Sequence, residues 1–183
     1  MSNPDILKVK ENDDSQMPTC KATNDALPQF PFIFTIVSPA ASGKSTCCAS
    51  ILLRYYKNCF DRIYMFSPTA STDKTTRSYL KAFDNDDITT ELILFEDHDD
   101  LMNADTYIQE IIDDQNKQEQ SKRDRVLIFL DDTIGFTFKK LNYLSSRYRH
   151  SNIGILICSQ AYRRLDPLVR INSTAIIINE ITN

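Results

Sequence analysis

One strand–loop–helix segment limits the possible folds and functions of this chain more than any other feature. Residues 32–37 (FIFTIV) are apolar, β-branched or aromatic, which predicts a strand buried on both faces. The loop after them ends in Gly43, Lys44 and Ser45, and residues 45–57 carry apolar side chains at helical spacing. A strand, a glycine-containing loop and a helix in this order predict a phosphate-binding loop, because backbone N–H groups and the helix N-terminus can meet an anion there.

The residues of this loop have distinct expected roles. Gly43 lets the backbone approach a phosphate, Lys44 supplies a cation, and Ser45 offers a hydroxyl to a magnesium ion. Ser38 stands where the usual pattern has a glycine; it can serve if its backbone angles are ordinary, but its effect on nucleotide affinity stays open. The candidate nucleotide-binding residues are Ser38, Pro39, Ala40, Ala41, Ser42, Gly43, Lys44, Ser45 and Thr46.

Polar residues follow two further apolar segments. Residues 126–130 (VLIFL) lead into Asp131 and Asp132, and residues 153–158 (IGILIC) lead into Ser159 and Gln160. At the carboxyl edge of a parallel sheet, Asp131 is expected to hold magnesium, and Asp132 to polarise an attacking water as general base. Gln160 can orient that water or sense the γ-phosphate. The alternatives are a helix cap for the two aspartates and a turn residue for Gln160.

Strands and helices alternate along the chain, which predicts an α/β fold with a parallel sheet covered on both faces. Residues 1–29 lack an apolar period and predict a disordered N-terminal arm, so that residues 30–183 form one P-loop ATPase domain. The other predicted strands are 62–66 and 175–178, with 91–95 as a possible short edge strand, and the predicted helices after the loop helix are 71–83, 103–118, 138–148 and 166–171.

The charge, the cysteines and the apolar segments of the sequence argue against several classes of protein. The net charge of −4 argues against indiscriminate binding of nucleic acids, although residues 139–170 are mostly basic and residues 84–119 mostly acidic. The five cysteines include no CxxC pair, so we expect reduced thiols rather than a disulfide framework or a zinc site. Neither a membrane span nor a secretory signal is present in the sequence, which predicts an intracellular protein.

Five segments together resemble the genome-packaging ATPases of large DNA viruses, the poxvirus-type branch of the FtsK–HerA superfamily, also found in virophages and related elements. The segments cover the chain from about residue 30 to its end. They are residues 38–46, 60–69 (FDRIYMFSPT), 127–132 (LIFLDD), 145–160 (SSRYRHSNIGILICSQ) and 169–174 (VRINST).

The resemblance implies a P-loop three-layer sandwich with a mostly parallel five-stranded sheet in the order 5-1-4-3-2. The strands 32–37, 62–66, 126–130, 153–158 and 175–178 are numbered here in chain order. It implies ATP and Mg²⁺ as ligands, with Ser45 and Asp131 on the metal, Asp132 activating water and Gln160 as sensor.

The resemblance also implies a motor that hydrolyses ATP, is stimulated by DNA and translocates double-stranded DNA into a viral capsid. Such a motor works as a homo-oligomeric ring with capsid or portal-vertex proteins, in the host cytoplasm (the virus factory) or the virion. A ring completes each site with an arginine of the neighbouring subunit. Arg147 and Arg149 are the first candidates and Arg170 the next, the alternative being arginines that cap a helix or bind DNA phosphates.

Two other functions remain open. A nucleoside or nucleotide kinase fits the length of the chain, but the sequence shows neither an arginine-rich lid nor an acceptor-base pocket. A nucleotide-binding scaffold without turnover would explain Ser38, but the set of Lys44, Asp131, Asp132 and Gln160 argues for hydrolysis.

Overall fold

One parallel sheet of six strands organises residues 17–133 and 135–179, which are the residues described in the computed structural model (for Tyr79 the backbone alone). The strand order is β3-β2-β4-β5-β1-β6, and every neighbouring pair is parallel. The strands are β1 (Ile33–Val37), β2 (Arg62–Phe66), β3 (Glu91–Phe95), β4 (Val126–Asp131), β5 (Ile153–Ser159) and β6 (Ala175–Ile178).

The predicted strand order is confirmed, because β6, β1, β5, β4 and β2 lie side by side in that sequence. The predicted count of five strands is corrected to six. The additional strand is β3, which was predicted as a possible edge strand and pairs with β2 in register from Arg62 opposite Glu91 to Phe66 opposite Phe95. Its side chains are only partly buried, as an edge position requires, and its sequence therefore lacks the strong apolar signal of a central strand.

Helices cover both faces of the sheet. The first face is covered by α1 (Lys44–Ser50), which continues into a π-helical turn (Ile51–Tyr55), and packs on phenylalanines from β1 and β4. The second face is covered by α4 (Ala104–Lys117), α5 (Lys139–Ser145) and α6 (Pro167–Asn172). These helices bury the isoleucine side chains of β4 and β5 that point to this face. Two further helices, α2 (Lys74–Leu80) and α3 (His98–Met102), follow β2 and β3. In the described part of the chain no helix has the length and apolarity needed to cross a membrane.

Residues 17–29 pack against the domain. This packing differs from the prediction that residues 1–29 form a disordered arm. Cys20 forms a β-bridge with Phe30 and a disulfide with Cys59, and the N–H of Thr23 donates to the carbonyl of Tyr55 at 2.9 Å. The structure thus pairs Cys20 with Cys59, which the expectation of reduced thiols did not include. The sequence missed this pair because the two cysteines lie 39 residues apart and meet only through the fold. Residues 1–16 lie outside the described residues.

Candidate active site

Strand β5 ties the two halves of the candidate site together. On one side, the N–H of Ser38 donates to the carbonyl of Ser159 at 3.1 Å, immediately after β1 ends. On the other side, the N–H of Asp132 donates to the carbonyl of Cys158 at 3.2 Å, immediately after β4 ends. Two adjacent carbonyls of one strand therefore fix the start of the phosphate-binding loop and the acidic pair at the same edge of the sheet.

The backbone of the phosphate-binding loop is tightly turned at two positions. Ala41 and Gly43 have positive φ angles of 57° and 88°, and Gly43 immediately precedes the first residue of α1. A side chain at Gly43 would meet no atom within 4 Å, so the requirement for glycine there is conformational rather than steric. The hydroxyls of Ser45 and Thr46 hydrogen-bond to none of the described residues.

Lys44 lies inside the loop rather than in solvent. Its ammonium donates to the carbonyls of Ser38 and Pro39, at 3.1 Å in both cases, and 9% of the residue is exposed. The carbonyls hold the cation over the carboxyl end of β1, which is the place where an incoming phosphate would need it.

Ser38 has its own supporting contacts. The residue is buried and does not have a positive φ, so the backbone angles at this position do not demand glycine. Its hydroxyl hydrogen-bonds to the hydroxyl of Ser42 and accepts from Nδ2 of Asn179 at 3.1 Å. Asn179 directly follows β6, and its N–H also donates to the carbonyl of Val37 at 3.0 Å. The serine thus connects the phosphate-binding loop to the edge strand.

Asp131 is the most buried carboxylate of the site, with 4% of the residue exposed. Burial raises its pKa to about 6, and the negative charges of Asp132 and Asp73 act in the same direction. The ammonium of Lys44 and the hydroxyl of Ser67 oppose the increase in pKa. The ammonium of Lys44 in the phosphate-binding loop is therefore close enough to stabilise the ionised carboxylate of Asp131.

Two of these neighbours were missed by sequence reasoning. Ser67 follows β2 directly and is fully buried. Asp73 immediately precedes α2, and its carboxylate accepts from the N–H and the hydroxyl of Thr76 at 2.6 Å each. The rule used for Gln160, that polar residues after parallel strands meet at one edge, could have found Ser67. Asp73 lies seven residues beyond the end of β2, and no sequence pattern marks it.

Asp132 and Gln160 are in direct contact. Nε2 of Gln160 donates to Oδ1 of Asp132 at 2.8 Å, which leaves the amide oxygen of Gln160 as a free acceptor. Asp132 has a positive φ of 52°, which is uncommon outside glycine and turns its side chain away from the direction that β4 would give it. Gln160 is exposed and Asp132 partly exposed, so both can reach a molecule from solvent.

The side chains present fit a magnesium–nucleotide complex. Magnesium takes oxygen ligands, and in phosphoryl-transfer sites it uses one or two carboxylates, phosphate oxygens and water rather than a protein cage. Asp131 and the hydroxyl of Ser45 would hold such an ion here. No cluster of three or more His, Cys, Asp or Glu side chains that could hold a metal ion occurs among residues 17–133 and 135–179.

Two of the three candidate arginines lie away from this edge. Arg147 and Arg149 follow α5 and precede β5, whose seven residues place them about 20 Å from its carboxyl end. Their guanidinium carbons lie 5.0 and 5.4 Å from the ring centres of Tyr143 and Tyr148. Arg170 is in α6 and stacks on Tyr162 at 5.3 Å. The structure therefore brings neither Arg147 nor Arg149 to the acidic pair of its own chain.

Comparison with solved structures finds the same fold in distantly related proteins. EssC (ATPases 2 and 3) from Geobacillus thermodenitrificans matches with a TM-score of 0.59 and 12% identity over 89% of this chain and 37% of that chain. The DNA-packaging ATPase from Sulfolobus turreted icosahedral virus, B204, matches with a TM-score of 0.57 and 13% identity over 84% of this chain and 77% of that chain. This chain thus spans little more than a third of that EssC chain. At these identities the likeness concerns the fold.

Sequence comparison identifies the family. Curated protein sequences give no match. The family model of the poxvirus A32 protein matches residues 20–183, which include the phosphate-binding loop, the acidic pair and Gln160. The match covers most of the chain and confirms the resemblance drawn from the motifs: the chain belongs to the family of the poxvirus A32 protein.

Proposed function

We propose that this protein is a magnesium-dependent ATPase that translocates double-stranded DNA into a viral capsid. The observation that carries the proposal is the convergence of Lys44, Asp131, Asp132 and Gln160 at one edge of the sheet, on loops held by β5. The family of the chain and its fold likeness to a DNA-packaging ATPase support the DNA-directed part of the function.

In this proposal the loop binds the triphosphate. The N–H groups that open α1 and the ammonium of Lys44 meet the β- and γ-phosphates, and Lys44 exchanges its carbonyl partners for phosphate oxygens. Mg²⁺, when bound with the nucleotide, neutralises phosphate charge. The raised pKa of Asp131 falls again when a cation approaches, because the cation stabilises the ionised carboxylate.

Asp132 takes the proton of the attacking water. Its carboxylate is held by Gln160 through one oxygen, which leaves the other oxygen to accept from water. The free amide oxygen of Gln160 accepts from the second hydrogen of that water and orients it toward the γ-phosphate. Proton removal and orientation then come from one hydrogen-bonded pair of side chains.

The positions of the arginines support the proposed ring assembly. Arg147 and Arg149 are exposed and lie at the opposite edge of the sheet from their own site. They can therefore reach a site only in a neighbouring subunit, where a guanidinium would offset charge that develops in the transition state. Capsid or portal-vertex proteins would receive the ring in the virus factory or the virion.

The direct test is ATP hydrolysis by the purified protein, with and without double-stranded DNA. We expect turnover that DNA raises and that Lys44→Ala and Asp132→Asn each lower by at least about 100-fold, because one removes the phosphate cation and the other the base. Lys117→Ala is the matched control, since Lys117 is exposed on α4 and pairs with Asp114 alone among the described residues.

Other outcomes would separate the alternatives. Transfer of phosphate to a nucleoside without any response to DNA would establish a kinase and contradict the proposal. Binding of ATP without turnover, at protein concentrations that give an assembled ring and in the presence of DNA, would contradict it in favour of a scaffold.

A further inference from the structure

We propose that Arg164 binds the terminal phosphate of the nucleotide in its own subunit. This inference rests on the proposed function and adds a cationic contact that sequence reasoning did not identify. It assigns to Arg164 a role distinct from that of the arginines supplied by a neighbour.

The first observation is a cavity beside the acidic pair. Its volume is about 420 Å³, and it is lined by Asp132, Gln160, Ala161 and Arg164. The two residues expected to position the attacking water therefore share one open space with Arg164. Among the described residues that line it, Arg164 alone carries a positive charge.

The second observation is the turn that aims Arg164. After β5, the hydroxyl of Ser159 accepts from the N–H of Ala161 at 3.2 Å, and the N–H of Arg164 donates to the carbonyl of Ala161 at 3.1 Å. Residues Tyr162–Arg164 form a 3₁₀ turn, in which residues three apart lie one above the other. Arg164 is thus placed over Ala161, which lines the same cavity, whereas Arg163 is rotated by about 120° from it.

The third observation is that this guanidinium is available. Arg164 is exposed, and its side chain makes no hydrogen bond, ion pair or ring contact with another residue in the described ranges 17–133 and 135–179. By contrast, Arg147, Arg149 and Arg170 each stack on a tyrosine. A free planar guanidinium binds phosphate oxygens through two parallel N–H donors, which favours a terminal phosphate with several accessible oxygens.

The attachment of Arg164 decides which subunit it serves. The turn follows β5 directly, and β5 also holds the phosphate-binding loop and Asp132. The contact with phosphate consequently needs no neighbour and should be present in an isolated subunit. Because a diphosphate lacks the terminal group, Arg164 should distinguish triphosphate from diphosphate.

The test compares the variants Arg164→Ala and Arg164→Lys with the adjacent control Arg163→Ala. The dissociation constants of Mg·AMPPNP and Mg·ADP are measured by calorimetry at protein concentrations where sedimentation shows single subunits. We expect Arg164→Ala to weaken AMPPNP binding about ten-fold and ADP binding less than about two-fold, with partial recovery in Arg164→Lys. Arg163→Ala should leave both constants unchanged.

The inference fails if the wild type binds AMPPNP and Arg164→Ala binds it with the same dissociation constant. It fails as well if Arg163→Ala and Arg164→Ala weaken AMPPNP binding equally. It also fails if Arg164→Ala changes only the affinity for double-stranded DNA, which would make Arg164 a DNA contact. A wild-type protein that binds neither nucleotide would instead contradict the proposed function, and the inference with it.

Discussion

At the scale of single residues, the buried, ionised carboxylate of Asp131 lowers the free energy of unfolding, which the exposed carboxylates of the chain do not do. Its pKa of about 6, against an ordinary 3.8, means that the folded state holds a proton where the unfolded state does not. Between these two values the free energy of unfolding therefore falls as the pH rises. Ionised Asp131 destabilises the metal-free protein by roughly 3 kcal/mol at neutral pH.

The variant Asp131→Asn tests this cost. In metal-free protein it should raise the free energy of unfolding at pH 7.5 by up to about 3 kcal/mol, and the gain should shrink as the pH falls toward 4. Urea denaturation in the presence of a chelator at pH 4.5 and pH 7.5 measures the difference. Asp113→Asn, on the exposed side of α4, is the control. A loss of stability of equal size at both pH values would contradict the prediction.

Ser38 gives a second prediction at this scale. We expect Ser38→Gly to lower the free energy of unfolding by about 1 kcal/mol, because it removes the hydrogen bonds to Ser42 and Asn179 and loosens the backbone. Nucleotide affinity should change little, since the backbone angles at Ser38 do not require glycine. Thermal unfolding and AMPPNP titration measure the two effects.

Ser38→Ala serves as the matched variant, because it removes the same hydroxyl without adding backbone freedom. If either substitution increased nucleotide affinity many-fold, the hydroxyl of Ser38 would be an obstacle to the phosphate rather than a support for the loop.

Single site residues were predictable where a polar side chain stands at the end of a continuous apolar segment. Asp131 and Gln160 end continuous apolar strands, and the parallel sheet brings such ends together. Asn179 and Asp73 have no such mark, because an asparagine after a strand or an aspartate before a helix is common for purely local reasons. Their contacts depend on which strands are neighbours, which is a property of the tertiary structure.

At the scale of elements, an ion pair fastens β2 to β4 at the edge opposite the site. The carboxylate of Asp61 accepts from the N–H, Nε and Nη2 of Arg125 at 2.7, 3.1 and 2.7 Å. Although partial burial raises it, the pKa of Asp61 is lowered overall by these hydrogen bonds and by the charges of Arg125 and Arg62. The pair therefore stabilises the start of both strands at neutral pH.

We expect Asp61→Ala to lower the free energy of unfolding by about 1–2 kcal/mol at pH 7, the modest size reflecting the exposure of both side chains. The depressed pKa means that this contribution is present above pH 3.8 and is lost as the pH falls below it. Urea denaturation at pH 7 and pH 3 measures the difference, with the exposed Asp86→Ala as control. An effect independent of pH would show that the ion pair is not its source.

The sequence predicted the types of the helices and strands well, and their first and last residues less well. The helix after the loop was expected as one piece over residues 45–57, whereas α1 passes into a π-helical turn in which the N–H of Tyr56 bonds to the carbonyl of Ile51 at 2.9 Å. Apolar spacing averages over such a turn, so periodicity cannot detect it. The short helix α3 has only five residues and shows no periodic signal.

At the scale of the whole molecule, acidic and basic side chains lie on different elements. The acidic segment 84–119 forms β3 at one edge of the sheet together with α3 and α4, while the basic residues of 163–170 lie in the turn after β5 and in α6. The basic end of the domain, which carries this turn and α6, can therefore approach a polyanion, while the acidic elements repel it.

This polarity predicts a salt dependence. We expect DNA-stimulated ATP turnover to fall steeply with rising NaCl while turnover without DNA changes little, because counterion release drives phosphate contacts. Steady-state rates between 50 and 300 mM NaCl, with and without double-stranded DNA, measure the two slopes. Equal slopes would mean that salt acts on the nucleotide site and that the basic end does not contact DNA.

The carbonyls of Cys158 and Ser159 have a consequence for any motor built on this domain. Since the phosphate-binding loop and the acidic pair are both anchored to β5, they cannot separate during a cycle without breaking the central strand pairing. Hydrolysis cannot drive a hinge inside the subunit at this point. The power stroke of such a motor would instead be a rigid-body rotation of one subunit against the next, with the nucleotide at the seam acting as the trigger.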